Sequence, residues 1–242
     1  MILFYVRHGD PIYDPNSLTP LGARQAEAAA KRLALYGIDE IYSSTSERAI
    51  LTAKPTAEIT KKEITQLDFC NEKYAWEDFS VLNENGKNSW VFQTVNYKKM
   101  FTDNKVLSLG DKWYEYPEFK NCNFKHGVQR VNKGTDDFLL SLGYEHDREK
   151  HIYIPINPNE KRIALFAHQG FGLCFLSSLL DIPYPIAACR FDMCHTGITV
   201  ILFDVEDGIC IPKMLTLSND SHIYREGLPT YYNTYYKKTI KF

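Results

Sequence analysis

The chain opens with Ile2-Leu3-Phe4-Tyr5-Val6, five apolar residues without alternation that stop at Arg7-His8-Gly9-Asp10. An unalternated run of this length is the pattern of a strand buried on both faces of a parallel sheet. Thr19-Pro20 then supplies an N-cap with proline at the first helical position, and an Ala-rich stretch predicts a helix to Tyr36, where Gly37 can take the left-handed stop. Residues 38–43 read as a second short strand. Ser44-Thr45-Ser46 can cap a helix over 47–57, with Pro55 expected to bend it or end it early. Residues 63–69 alternate as a third strand. The first 70 positions are thus β-α-β-α-β, the unit of an open sheet whose ligands bind beyond the carboxyl ends of its strands.

Between Phe69 and Phe124 the periodicity fails. Gly86 and Gly110 look like turns, and 13 of the chain's 33 aromatic residues fall in these 56 positions, all three Trp (76, 90 and 113) among them. Beyond them the pattern predicts a helix over 127–142, a buried strand over 163–167 and an apolar helix over 171–180. A second apolar strand over 198–203 follows His195-Thr196-Gly197, with 211–217 able to pair with it as a hairpin across Asp207-Gly208. From Ile223 a tail rich in Tyr and Lys reads as a peripheral packed segment that frays at its end.

Composition narrows the classes. In 242 residues, 28 Lys+Arg stand against 30 Asp+Glu for a net charge of -2, so bulk charge cannot drive polyanion binding and no nucleic-acid partner is indicated. Any anion site must be a local cluster of cations. No apolar run reaches the ~18–20 residues of a membrane-spanning helix. The six Cys (70, 122, 174, 189, 194 and 210) are irregularly spaced and no signal peptide precedes the first strand, so they read as reduced thiols in a cytoplasmic protein. Cys189, Cys194 and His195 resemble half a metal site, but no second pair completes it, and neither metal nor cofactor is expected.

The candidate chemistry lies at the strand ends. His8 and His168 each follow a strand predicted to be central. If those strands are parallel neighbours, both imidazoles reach one rim of the sheet, with Arg7 beside them. Ser44-x-x-x-Arg48 places a second guanidinium in the first turn of the following helix, whose free N–H groups also favour anions. Two forked Arg donors, two imidazoles and a helix N-terminus make a pocket for a phosphoryl group.

Taken together, Arg7-His8-Gly9, Leu18-Thr19-Pro20-Leu21-Gly22 with Gln25-Ala26, Ser44-x-x-x-Arg48-Ala49 with Thr52-Ala53, His168-Gln169-Gly170, and Thr196 before a strand resemble the histidine phosphatase superfamily, the phosphoglycerate-mutase-like family. The resemblance implies a three-layer α/β/α sandwich with a mostly parallel sheet. It implies a single catalytic domain over 1–242 with an aromatic cap inserted at about 70–125, and turnover of a small phosphomonoester through phosphohistidine. Carried over by position, His8 is the nucleophile, and Arg7, Arg48 and His168 hold the phosphoryl oxygens, His168 as an imidazolium. Gln169 and Thr196 also border the phosphate, which requires the strand after Thr196 to run against the others. Glu72 best fits the general acid, with Asp68 and Asp10 as competitors. Asp10, Asn16 and His195 are candidates to line the substrate pocket. His126, His146 and His151 read as surface residues and His222 as structural.

Three other readings stand beside a phosphatase. A mutase needs a long segment after the first motif, whereas only ten residues separate Gly9 from Pro20. A binding module without turnover would not need both His and both Arg. A metal-dependent hydrolase would need a third ligand beside His8 and His168.

Overall fold

A computed structural model describes residues 1–232. Its centre is a six-stranded sheet with the order Lys213–Asn219, Ile198–Leu202, Ile2–Arg7, Arg162–Ala167, Glu40–Ser44 and Ile64–Leu67. Ile2–Arg7, Arg162–Ala167, Glu40–Ser44 and Ile64–Leu67 pair in parallel, and Ile198–Leu202 runs antiparallel to both of its neighbours. It is the one reversed strand of the six. The two central strands are buried beyond their first residues, as runs without alternation require.

Register places the chemistry. Arg7 pairs with Ala167, so the next residues, His8 and His168, leave the sheet side by side at the same edge. His8 donates its backbone N–H to the carbonyl of Ala167 at 2.9 Å. The Pro20–Tyr36 helix starts as the capping pattern predicts, with the Thr19 hydroxyl accepting from the Gly22 amide and Gly37 closing the other end at φ 71°.

Three expectations need correction. The helix from Glu47 continues to Thr60 through Pro55. Proline forfeits one backbone bond there, but the buried face of Ala49, Thr52, Ala53 and Thr56 keeps the helix packed on the sheet. The hairpin from Ile198–Leu202 pairs with Lys213–Asn219, but its tip at Asp207-Gly208 closes a smaller pair, Val205–Glu206 with Ile209–Cys210. That pair extends a second sheet containing Ile152–Pro155 and Tyr144–Asp147. His146, in Tyr144–Asp147, is fully buried between Asp136 at 3.1 Å and Asp181 at 3.0 Å, not a surface residue.

Residues 70–125 form short pieces, which is why no periodicity survives there: helices Glu72–Phe79, Val95–Phe101 and Asn104–Leu107, a hairpin of Ser80–Leu82 with Asn88–Trp90, and three 3-10 turns. Their aromatic residues do not make a core of their own. Phe79, Phe101, Trp113, Phe119 and Phe124 pack against one another and around Tyr184, with Phe101 edge-on to Phe119 and Trp113 stacked on Tyr184, and they join the same buried cluster as Leu3, Tyr5 and Leu165 of the central sheet. The tail begins with the Ser221–Arg225 helix and buries Leu228, while its expected frayed end lies outside the described residues.

Candidate active site

The carboxyl edge of the sheet opens into a cavity of about 650 Å³ lined by Arg7, His8, Asn16, Arg48, Glu72 and Gln169, with Tyr13, Lys73, Trp76 and Trp90 on its outer wall. His8 is 3% exposed. Its Nδ1 lies 2.7 Å from the Gly9 carbonyl oxygen, an acceptor only, so Nδ1 carries the proton and Nε2 keeps its lone pair. Burial, reinforced by the charges of Arg7 and Arg48, holds the His8 imidazole well below its usual pKa. It is therefore neutral near pH 7, as a nitrogen nucleophile must be.

The two guanidiniums are built alike. Arg48 donates from Nη1 to Asn16 Oδ1 at 3.1 Å and from Nη2 to His168 Nδ1 at 3.1 Å. Arg7 donates from Nη1 to the carbonyls of Met193 and Tyr232, and from Nη2 to His195 Nε2 at 3.0 Å. Among the described residues, the Nε–H of each has no partner although both are buried. A buried charged donor left unpaired is costly, and an anion at the cavity wall would satisfy both.

His168 departs from its expected role. Because Arg48 can only donate, His168 Nδ1 is an acceptor, and its Nε2–H donates to Ser44 Oγ at 2.9 Å. Burial and the neighbouring Arg48 and Arg7 depress its pKa well below the usual value. His168 is a neutral ring with both nitrogens occupied, edge-on to His8 at 5.2 Å between centroids, and it is fully buried behind the cavity wall. Its contact with the site runs through Arg48.

Glu72 opens the Glu72–Phe79 helix, and its two carboxylate oxygens accept from the amides of Gly170 at 3.0 Å and Phe171 at 3.1 Å. Those amides are in the first turn of the Gln169–Leu179 helix, where N–H groups lack intrahelical partners. Burial raises the Glu72 pKa against the opposing pull of the Phe171 amide and Arg48. Gly170 is required beneath it, since a Cβ there would stand 2.4 Å from the Trp90 ring. Asp68 is exposed outside the cavity, accepting from Thr45 at 2.9 Å and Tyr74 at 2.8 Å, which keep its carboxyl below the ordinary value. Asp10 faces inward, with Oδ2 accepting from Thr19 at 2.9 Å and Oδ1 lying 3.3 Å from His195 Nδ1.

Three further expected positions are placed differently. Thr196 is buried at φ 55° with its hydroxyl on the His195 carbonyl and on His222 Nε2, so it does not line the cavity. His195 lies behind Arg7 and not on the substrate side, with its ring 5.9 Å from that of His8. Gln169 borders the cavity, but its amide nitrogen donates to Asp192. Two contributors escaped sequence reading. Ser44 orients His168, and the Tyr5 hydroxyl donates to the His168 carbonyl at 2.5 Å while accepting its amide at 3.2 Å. A tyrosine within an otherwise aliphatic and Phe strand was the available signal, because a buried phenol needs a partner.

Among the described residues no group of three or more His, Cys, Asp and Glu is disposed to hold a metal ion, and no helix is long and apolar enough to cross a membrane.

With this geometry in place, residues 3–87 match the histidine phosphatase superfamily (branch 1). That match covers the amino-terminal third of the chain. The likeness of fold extends beyond the matched residues. A mutant phosphoserine phosphatase from Entamoeba histolytica, solved with phosphoserine, is similar at a TM-score of 0.59 and 20% identity over 92% of this chain and 98% of that one. A mycobacterial glucosyl-3-phosphoglycerate phosphatase aligns at 0.56 and 18% identity over 90% and 98%. An alpha-ribazole phosphatase from Shigella flexneri aligns at 0.55 and 18% over 91% and 97%. No curated protein sequence matches the chain. At these identities the structural likeness establishes a phosphoglycerate-mutase-like fold.

Proposed function

We propose that the chain is a metal-independent phosphomonoester hydrolase that acts on a small phosphorylated metabolite through a phosphohistidine at His8. The observation that carries this reading is the neutral His8 ring, with Nε2 unprotonated, in one cavity with two buried guanidiniums whose Nε–H groups are unpaired among the described residues. Phosphoryl transfer passes through a loose transition state with charge spread over the equatorial oxygens, so fixed donors supply most of the catalysis. His8 Nε2 attacks phosphorus as the bond to the ester oxygen breaks, and protonated Glu72 gives its proton to that oxygen. Glu72, now a carboxylate, takes a proton from water as the water oxygen attacks phosphorus and the N–P bond to His8 breaks. His168 serves by holding Arg48.

The substrate reading rests on the cavity. Asn16, Asn71, Thr45 and Gln169 are already bonded to protein partners, which leaves Trp76, Trp90, Tyr13, Lys73 and Gln93 as the outer surface met by a leaving group. The Gly9–Pro20 connection is a tight hairpin of Pro11–Tyr13 with Asn16–Leu18, which favours hydrolase over mutase because little chain is left to retain a bisphosphorylated intermediate. Six free thiols fit a reducing, cytoplasmic compartment.

The test is hydrolysis of p-nitrophenyl phosphate with excess EDTA present. Activity that persists in EDTA and disappears in His8→Ala is expected, together with a base-stable, acid-labile phosphoenzyme in the wild type. Equal rates for wild type and His8→Ala would remove the proposal.

A further inference from the structure

Resting on the proposed role of Arg7 as a phosphoryl donor, we infer that His195 and Asp10 form a positioning relay for Arg7. The geometry parallels what holds Arg48, with an ion-pair contact to Asp10 in place of the hydrogen bond to Ser44. Each guanidinium donates Nη2–H to a ring nitrogen of a buried histidine, Arg48 to His168 at 3.1 Å and Arg7 to His195 at 3.0 Å. Each histidine has an oxygen at its other ring nitrogen: Ser44 Oγ lies 2.9 Å from His168 Nε2, and Asp10 Oδ1 lies 3.3 Å from His195 Nδ1. Each arginine places Nη1 on protein oxygens and keeps Nε unpaired among the described residues.

Chemistry dictates the direction of the relay. Arg7 has donors only, so His195 Nε2 must be an acceptor, and the proton of a neutral His195 therefore resides on Nδ1, facing the Asp10 carboxylate. That carboxylate is itself fixed, because Oδ2 accepts from Thr19, the N-cap of the first helix, and the Asp10 amide donates to Gln25 Oε1 at 2.9 Å. His195, at 3% exposure, thus transmits the position of the first helix to the Nη2 side of Arg7. In a guanidinium, Nε–H and the second Nη2–H point the same way and form a two-pronged fork. With one Nη2 hydrogen held by His195 and Nη1 held by the Met193 and Tyr232 carbonyls, the guanidinium plane is set and that fork is what remains for two phosphoryl oxygens. His195 is a positioning residue, since it reaches the phosphate only through Arg7.

Two substitutions separate this role from packing. His195→Phe keeps ring volume beside His8 but has no acceptor, whereas His195→Gln is a poorer ring mimic whose Oε1 can accept from Arg7. Full-length protein is assayed for p-nitrophenyl phosphate hydrolysis, inhibition by inorganic phosphate, and thermal unfolding. The relay predicts that His195→Phe weakens phosphate inhibition and lowers kcat/KM by about 10- to 100-fold, the scale of one lost hydrogen bond to a charged group, while His195→Gln stays within about threefold of wild type. Asp10→Asn should fall between them. The reverse order, with Phe tolerated and Gln impaired, would mean a packing role and overturns the relay, as does wild-type behaviour of both. If hydrolysis survives His8→Ala, the functional reading fails by itself, and the phosphate inhibition series still decides the relay. If wild-type protein neither hydrolyses a phosphomonoester nor binds phosphate in calorimetry, both fall together.

Discussion

Arg48 and His168 are joined by a 3.1 Å hydrogen bond in which the guanidinium is the donor, so the imidazole is held as an acceptor and not as a second cation. His168→Ala should then act mainly by releasing Arg48. The expected result is weaker phosphate inhibition and a lower kcat/KM, by about 10- to 100-fold, with most of the loss already present in Arg48→Ala. A double-mutant cycle on phosphate inhibition checks this. Strict additivity of the two substitutions would show that the residues act separately.

Glu72 should control the dependence on leaving group and pH. Glu72→Gln keeps the shape but cannot donate a proton, so turnover of an alkyl phosphate should fall by about 10²- to 10⁴-fold, with p-nitrophenyl phosphate much less affected. In the proposed mechanism the competent form has His8 neutral and Glu72 protonated. Since the His8 pKa is depressed, its acid limb lies below the usual histidine range; since burial raises Glu72, activity on alkyl phosphates should be lost as pH rises through that elevated value. A pH series of kcat/KM for both substrate classes tests this. An alkaline limb of equal depth for both would move the acid elsewhere.

His146 links stability to pH. Burial opposes its charged form, but Asp136 and Asp181 on its two ring nitrogens outweigh that and raise its pKa above 6.5. A raised folded value gives stability that is complete below the unfolded pKa and is lost as pH rises through the folded one. The Tm difference between wild type and His146→Gln should accordingly be largest below about pH 6.5 and narrow at alkaline pH. A pH-independent difference would show that the pair of carboxylates does not hold the ring charged.

Gly170 should tolerate no side chain. A Cβ would overlap the Trp90 ring and disturb the amide that Glu72 accepts from, so Gly170→Ala should cost about 1–3 kcal/mol in denaturant unfolding. It should also reduce turnover of alkyl phosphates. Gly170→Ala combined with Trp90→Ala should regain much of the lost stability, because the overlapping ring is gone.

Much of the site was legible because its signals are local. An unalternated apolar run ending in Arg7-His8 and another ending in His168 are strand ends by composition alone, and parallel pairing makes them neighbours. Glu72 against Asp68 was not decidable this way. The two differ by four positions in an irregular stretch, and what separates them is a contact 98 residues away, between Glu72 and the Gly170 amide. His146 was misread because its polar sequence neighbours conceal that its ring is packed against Tyr153, with centroids 4.1 Å apart, between two carboxylates from other elements.

The sequence by itself determined that any anion site must be a local cluster of cations: in a chain of net charge -2, Arg7, Arg48 and their histidines are the candidate cluster. It also determined the strands, because burial on both faces writes itself into a short contiguous run. Tertiary structure alone decided protonation and direction. Whether His168 and His195 are cations or acceptors depends on which guanidinium nitrogen each meets across the sheet edge, and which carboxylate is raised depends on burial against a helix start. These are properties of neighbours distant in the chain, and hydrogen bonding and desolvation act only once those neighbours are brought together.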